Sequence, residues 1–358
     1  MARWQFGPLF AGWGGLARFW ALVGVLLVLC GMTLQLFGPP REQPPSPVVA
    51  ALTPPASQPP PQPAKPPAQA VVQAPPAQRP GRDTPGPIAD PEPALLEPLP
   101  GSTTDLLPRI ASDGRMPMQV YAAGFDSSSR RPRVGLLLAG IGLNQADSET
   151  AIRSLPGGIT LAISPYAQNP AKLLAEARLA EHEFLLSIPM EPQGFSLNDP
   201  GQQALMTNLS LELNRVRLEW ALSRAQGYAG ATSALGSGLL GERFASLPDE
   251  LQPILAELAH RGLLYVDPRS DAPSLPSVWS RRVDLIVDEP ATAVGIDDKL
   301  AQLSRLAHAK GSVLGLATAP RPVTIQRIAA WADGLTANGL MLAPASALVQ
   351  PPAKGTEP

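Results

Sequence analysis

The string HEFLLSIPMEP (182–192) holds an apolar run, Phe184-Leu185-Leu186, with no polar residue until Ser187. A strand with one wet face alternates polar and apolar side chains. A strand that stays apolar throughout is covered on both faces. The same kind of run recurs on both sides of it: VGLLLAG (134–140), GITLAIS (158–164), YAGATSA (228–234), GLLYVD (262–267), VDLIVDE (283–289), GSVLGLA (311–317) and GLMLA (339–343). Helical spacing fills the intervals. Leu209, Leu213, Val216 and Trp220 follow a 4,3,4 pattern, Leu251, Leu255 and Leu258 another, and Ile325, Ile328, Trp331 and Leu335 a third. Ser246 before Pro248 and Asp249 reads as a helix start. Buried strands alternating with amphipathic helices predict a parallel sheet covered by helices. Eight candidate strands favour a barrel or near-barrel of about seven to eight parallel strands over an open sheet.

Outward from this region, 133–349, the composition changes. The chain has 358 residues with 44 Pro, and 22 of those prolines fall in residues 39–100. Proline lacks a backbone donor, and so Pro-rich a segment buries too little to order itself. Residues 38–132 are therefore expected to be a Pro-rich disordered linker, its 39–100 part reaching at most ~190 Å at 3.1 Å per residue. Before it, residues 19–37 carry no charge and would span ~28 Å at 1.5 Å per residue, close to a bilayer's hydrocarbon core. Arg3 and Arg18 precede the run without any acid, which keeps 1–18 cytoplasmic. The run ends in Gly38-Pro39-Pro40 rather than a small-x-small cleavage site, which favours an uncleaved transmembrane signal-anchor over a signal peptide. Leu29 before Cys30 does not suit a lipidation site. The expectation is a single-pass protein of a bacterial inner membrane, with its domain periplasmic and a disordered tail over 350–358.

Several function classes drop out. One Cys excludes a disulfide framework or a Cys-pair metal site. A balance of 28 Lys+Arg against 30 Asp+Glu gives no basic face for nucleic acid. His182, His260 and His308 each precede a strand at the end of a helix. They therefore lie on the rim opposite the strand C-termini, where parallel α/β domains keep their chemistry. There they can cap carbonyls, but they cannot serve a strand-end serine as base. Gly140-Ile141-Gly142 lacks the third glycine of a dinucleotide fingerprint, since Gln145 stands there.

The ordered landmarks Leu155-Pro156-Gly157, His182-Glu183, Leu185 to Pro192, Gly236-Ser237, Arg261-Gly262-Leu263 and Asp267-Pro268-Arg269-Ser270 resemble those of the divergent polysaccharide deacetylases. The resemblance covers 133–349. It implies the deformed (β/α) barrel, of about seven to eight parallel strands, of the metal-dependent carbohydrate esterases. It also implies an Asp pair after the first strand, a His before the Pro-Met-Glu-Pro string, a second His before Gly-Ser, and a Gly-His-Pro after a late strand. This chain has Ala139-Gly140, Ser187, Ala234 and Thr318-Ala319-Pro320 at those places. A hydrolytic metal needs about three protein ligands and an open position, so no metal, no cofactor and no catalytic residue are expected.

Ser187, Glu191, Ser237, Asp267 and Arg269 remain as candidate cleft-lining residues. They either line a polar cleft for a sugar, or Asp267 and Arg269 form an internal ion pair while Glu191 caps a turn. The sequence points to a pseudoenzyme that binds peptidoglycan, another glycan or an envelope protein. The alternatives are an active esterase, acting on C–N bonds of acetylated polysaccharide with relocated ligands, and a Pro-rich scaffold.

Overall fold

The computed structural model describes residues 20, 21, 23–25, 83 and 85–352. The anchor expected over 19–37 lies outside the described residues except for 20, 21 and 23–25, which are helical. Among the described residues no helix is long and apolar enough to cross a membrane. Residues 38–82 and 353–358 also lie outside the described part.

From Arg133 onward strands and helices alternate: β3 (Arg133–Ile141), α1 (Gln145–Ser154), β4 (Thr160–Ile163), α2 (Pro170–Leu179), β5 (Phe184–Ser187), α3 (Leu211–Ser223), β6 (Gly230–Thr232), α4 (Pro248–His260), β7 (Leu264–Asp267), β8 (Ser280–Arg282), β9 (Leu285–Ile286), α5 (Ala293–Lys310), β10 (Ser312–Ala317), α6 (Pro322–Gly334) and β11 (Met341–Leu342). Polar caps start the helices. The side chains of Asn144, Asn169, Ser210 and Thr292 accept from backbone N–H groups of the first turns of α1, α2, α3 and α5. Pro248 and Pro322 occupy the first position of α4 and α6, where a missing N–H costs nothing.

The strands form one curled parallel sheet in the order β8-β7-β6-β5-β4-β3-β10-β9, with β11 beside the start of β3. It is a half-barrel consistent with a deformed (β/α) barrel. The segment Ser280–Ile286 runs between the two ends of this order. Its first half pairs with β7 and its second half with β10. Sequence reading located β9 but missed β8, because Ser280-Arg281-Arg282 carries no apolar signal.

Alternation along each strand divides the core in two. Val134, Leu136 and Leu138 of β3, with Leu161, Phe184, Leu186, Tyr265 and Val313, face the helices. Leu137 and Ala139, with Ala162, Leu185, Leu264, Val266, Leu314 and Leu316, face the inside of the curl. Both faces are dry, which is why the runs read as continuously apolar.

What fills the inside corrects the expected linker boundary of 132. A 3₁₀ turn at Pro93–Leu95, an antiparallel pair β1 (Leu96–Pro98) and β2 (Leu106–Pro108), and a helical turn at Pro117–Val120 all precede β3. Ile88, Leu95, Met118, Tyr121 and Phe125 join the inner core, together with Ala343, Ala345 and Leu348 from the other end of the domain. At ~1.5–3 kcal/mol for each large buried side chain, this segment is part of the domain. Proline density alone misplaced the boundary, because the apolar residues after Pro87 are irregularly spaced and show no period.

A second correction concerns α3. The expected apolar face included Leu213 and Val216, yet both are exposed. The helix instead buries Asn214, Leu218, Ala221 and Leu222. Asn214 is tolerated inside because it donates to Met206 O and accepts from Met206 N, both at 3.0 Å. The Pro248 helix starts as expected, but Leu247 rather than Ser246 holds the position before it.

Candidate functional site

The strand C-termini converge where the sequence places chemistry, and each end can be read in turn. β3 ends in a bulge around Ala139-Gly140, where the register against β4 shifts. Gly140 has φ +80°, and a Cβ there would lie 3.2 Å from Pro320 Cδ. This backbone suits glycine and strains other residues. Ser187 at the end of β5 is buried, and its hydroxyl donates to Ala234 O at 2.8 Å. Two of the three positions where the family resemblance calls for imidazoles thus hold one another as a serine and a backbone carbonyl. Ser237 lies on the exposed turn after β6.

The carboxylates here are buried and fully engaged. Asp267, at the end of β7, is 1% exposed. Arg269 grips it through its backbone N–H (3.0 Å), Nε (3.0 Å) and Nη2 (2.7 Å). Burial pushes the Arg269 guanidinium pKa down, and the bond and charge of Asp267 outweigh it, leaving it above its ordinary value. Asp288 after β9 accepts from Thr318 N, Thr318 Oγ1, Ala319 N and Arg321 Nη1. Glu191 accepts from Thr207 N and Oγ1, both at 2.7 Å, and pairs with Arg243 Nε at 3.1 Å. It thereby fastens the long loop after β5 to the helical turn Glu242–Ala245.

Of the five candidate cleft residues, then, Asp267 and Arg269 come together as a buried pair. Ser187 and Glu191 hold loops, and only Ser237 is exposed. No hydrogen bond or ion pair among the described residues joins Glu191 or Ser237 to Asp267. A catalytic divalent cation needs about three protein ligands with free lone pairs. Ala139, Gly140, Ala234 and Ala319 offer no side-chain donor atom, and the hydroxyls of Ser187 and Thr318 are engaged. Among the described residues no three His, Cys, Asp or Glu side chains form a cluster able to hold a metal. The residues present do not fit such an ion.

The histidine-glutamate pair belongs to the opposite rim. His182 is fully buried, with Nδ1 2.8 Å from Ile159 O and Nε2 3.1 Å from Ile152 O. Burial holds its imidazole below the usual range, although the carbonyls pull the other way. Glu183 directly precedes β5 and accepts from Ala123 N, Thr160 Oγ1, Ser346 N and Ser346 Oγ. Burial pushes its carboxyl up, and these donors offset part of the shift. This carboxylate ties the segment before β3 and the segment after β11 to the floor of the curled sheet. Sequence reading saw the motif but had no signal for its partners, which lie 60 and 163 residues away.

A family model described as divergent polysaccharide deacetylase matches residues 136–349. The crystal structure of the uncharacterized protein ATU2773 from Agrobacterium tumefaciens C58 is similar, at 31% identity and a TM-score of 0.64. That match covers 68% of this chain and 100% of the other. No curated protein matches the chain.

Proposed function

Because the chain belongs to the divergent polysaccharide deacetylase family, we propose that it is a non-catalytic member that binds a glycan of the bacterial cell envelope. In this reading residues 19–37 anchor it in the inner membrane, and the domain stands on the periplasmic side of a Pro-rich tether. The observation that carries the loss of catalysis is the state of the strand ends. Metal-assisted attack on an acetamide needs a cation-bound water and a base to take its proton. Here the ligand and base positions are Ala139, Gly140, Ser187, Ala234 and Ala319. The nearby carboxylates of Asp267 and Asp288 are held by Arg269 and by Thr318 and Arg321. Retention of a fold without its chemistry is expected where function resides in grafted side chains.

The test is acetate release from acetylated chito-oligosaccharides and peptidoglycan fragments by the purified full-length chain, with Zn²⁺, Co²⁺, Ni²⁺ or Mg²⁺ added and then with a chelator. No release above background and no stoichiometric bound metal are expected. Chelator-sensitive release would overturn the proposal.

A further inference from the structure

One cavity lies away from the degenerate strand ends. It has a volume of about 810 Å³, and of the candidate cleft residues only Asp267 borders it. It follows from the seam in the sheet. β8 pairs with β7, and β9 pairs with β10. Between β8 and the start of β10, a side chain bridges what backbone does not, with Arg281 Nη2 3.3 Å from Ser312 O. Ser280 is tied instead to Gln350 through a pair of backbone bonds. The space left at this seam is bordered by Ser274, Ser280, Arg282, Lys310, Ser312 and Gln350.

Charge at the seam is unbalanced. Arg269 neutralises Asp267. Asp284 takes both Arg281 Nη2, at 2.6 Å, and Lys310 Nζ, at 3.0 Å. Arg282 is exposed, is steadied by a 2.9 Å bond from Nη1 to Ala272 O, and ion-pairs with no carboxylate among the described residues. Three cations, Arg281, Arg282 and Lys310, therefore border the cavity against two carboxylates, Asp267 and Asp284, the first of which Arg269 already pairs. A guanidinium held in this way favours a planar oxyanion, which it can bind through two parallel N–H donors. The volume falls in the range of small-ligand sites.

We propose that this seam cavity binds an oligosaccharide bearing carboxylates, with Arg282 and Lys310 as its charged contacts. The saccharide part rests on the glycan-binding reading above. The charge selectivity rests on the seam alone.

The experiment titrates the full-length chain, in mild detergent, with two tetrasaccharide probes that both contain N-acetylglucosamine. One is a hyaluronan tetrasaccharide, which carries carboxylates, and the other is chitotetraose, which does not. Glutarate serves as a carboxylate without a sugar. The acidic tetrasaccharide is expected to bind at least tenfold tighter than chitotetraose and glutarate, and to weaken as salt is raised. Arg282→Ala is expected to lower its affinity about tenfold, Arg282→Lys less, and Lys310→Ala additively, all with an unchanged melting midpoint.

Equal binding of the two tetrasaccharides, insensitive to Arg282→Ala, overturns the seam site and leaves the glycan-binding reading standing. Glutarate binding as tightly as the tetrasaccharide overturns the saccharide part. Failure of every probe to bind sinks the proposal as stated.

Discussion

Arg269 reaches back two residues to close a fork on Asp267, so that a nearly solvent-free carboxylate at the end of β7 has its charge answered from its own loop. This geometry favours an internal ion pair over an open polar cleft. Breaking one side of a buried pair strands the other charge. Arg269→Ala is therefore expected to cost about 3–5 kcal/mol of stability, measured as the shift in the urea unfolding midpoint. A loss below about 1 kcal/mol, the range of exposed pairs, would show that Asp267 is already hydrated.

The floor network makes a separate prediction. Glu183→Ala removes the acceptor of four donors, three of them on segments remote in sequence. Each stranded donor costs about 1–3 kcal/mol, so the variant should be far less stable than Glu176→Ala on the surface of α2. Hydrogen exchange should rise first at Ala123 and Ser346. Unchanged protection there would show that these segments are held by apolar contacts alone.

His182 sets an acid limit on stability. Its folded-state pKa is held below the usual value by burial, while in the unfolded chain it titrates near ~6.5. The unfolded state then binds more protons below that pH, so stability falls as pH drops through about 6.5 toward the lower folded value. The unfolding midpoint should decline between neutrality and pH 5, and His182→Gln should flatten that part of the curve. Stability that rises on acidification would mean that the two carbonyls hold the imidazolium.

Chain truncation tests where the domain begins. Removing 39–82 should leave the melting midpoint unchanged. Removing 39–132 should abolish cooperative melting, because Leu95, Tyr121 and Phe125 then leave the inner core. A cooperative transition at the original temperature in the longer deletion would show that the curled sheet holds its interior without them.

Restoring an acid at the first strand end should be costly. Gly140→Asp places a Cβ at φ +80° and against Pro320, at about 1–2 kcal/mol for the left-handed backbone. It should bring no metal binding by itself. A stable variant that binds Zn²⁺ would show that the bulge readily reshapes.

The proposed anchor over 19–37, preceded by Arg3 and Arg18 and no acid, carries a prediction about orientation. A reporter enzyme active only outside the cytoplasm, fused after Pro358, should be active. Activity of a cytoplasmic reporter alone at that position would reverse the orientation.

Local pattern alone determined the parallel strands, because a strand dry on both faces, such as Leu136 to Leu138, must be written as an unbroken apolar run. It also placed a helix start at Pro248, where the ring's fixed φ suits a first turn, although Leu247 rather than Ser246 precedes it. The helix-end placement of the histidines was legible for the same reason, since strand–helix order fixes which rim a residue occupies. Tertiary structure decided what depends on partners distant in the chain. Leu95 and Phe125 become core only once a curled sheet offers an interior, and Leu213 is left outside because Asn214 finds its partner at Met206. The seam at Val283-Asp284 arises from one segment pairing with two strands. No residue there announces it, because hydrogen-bond register is a property of neighbours brought together by the fold.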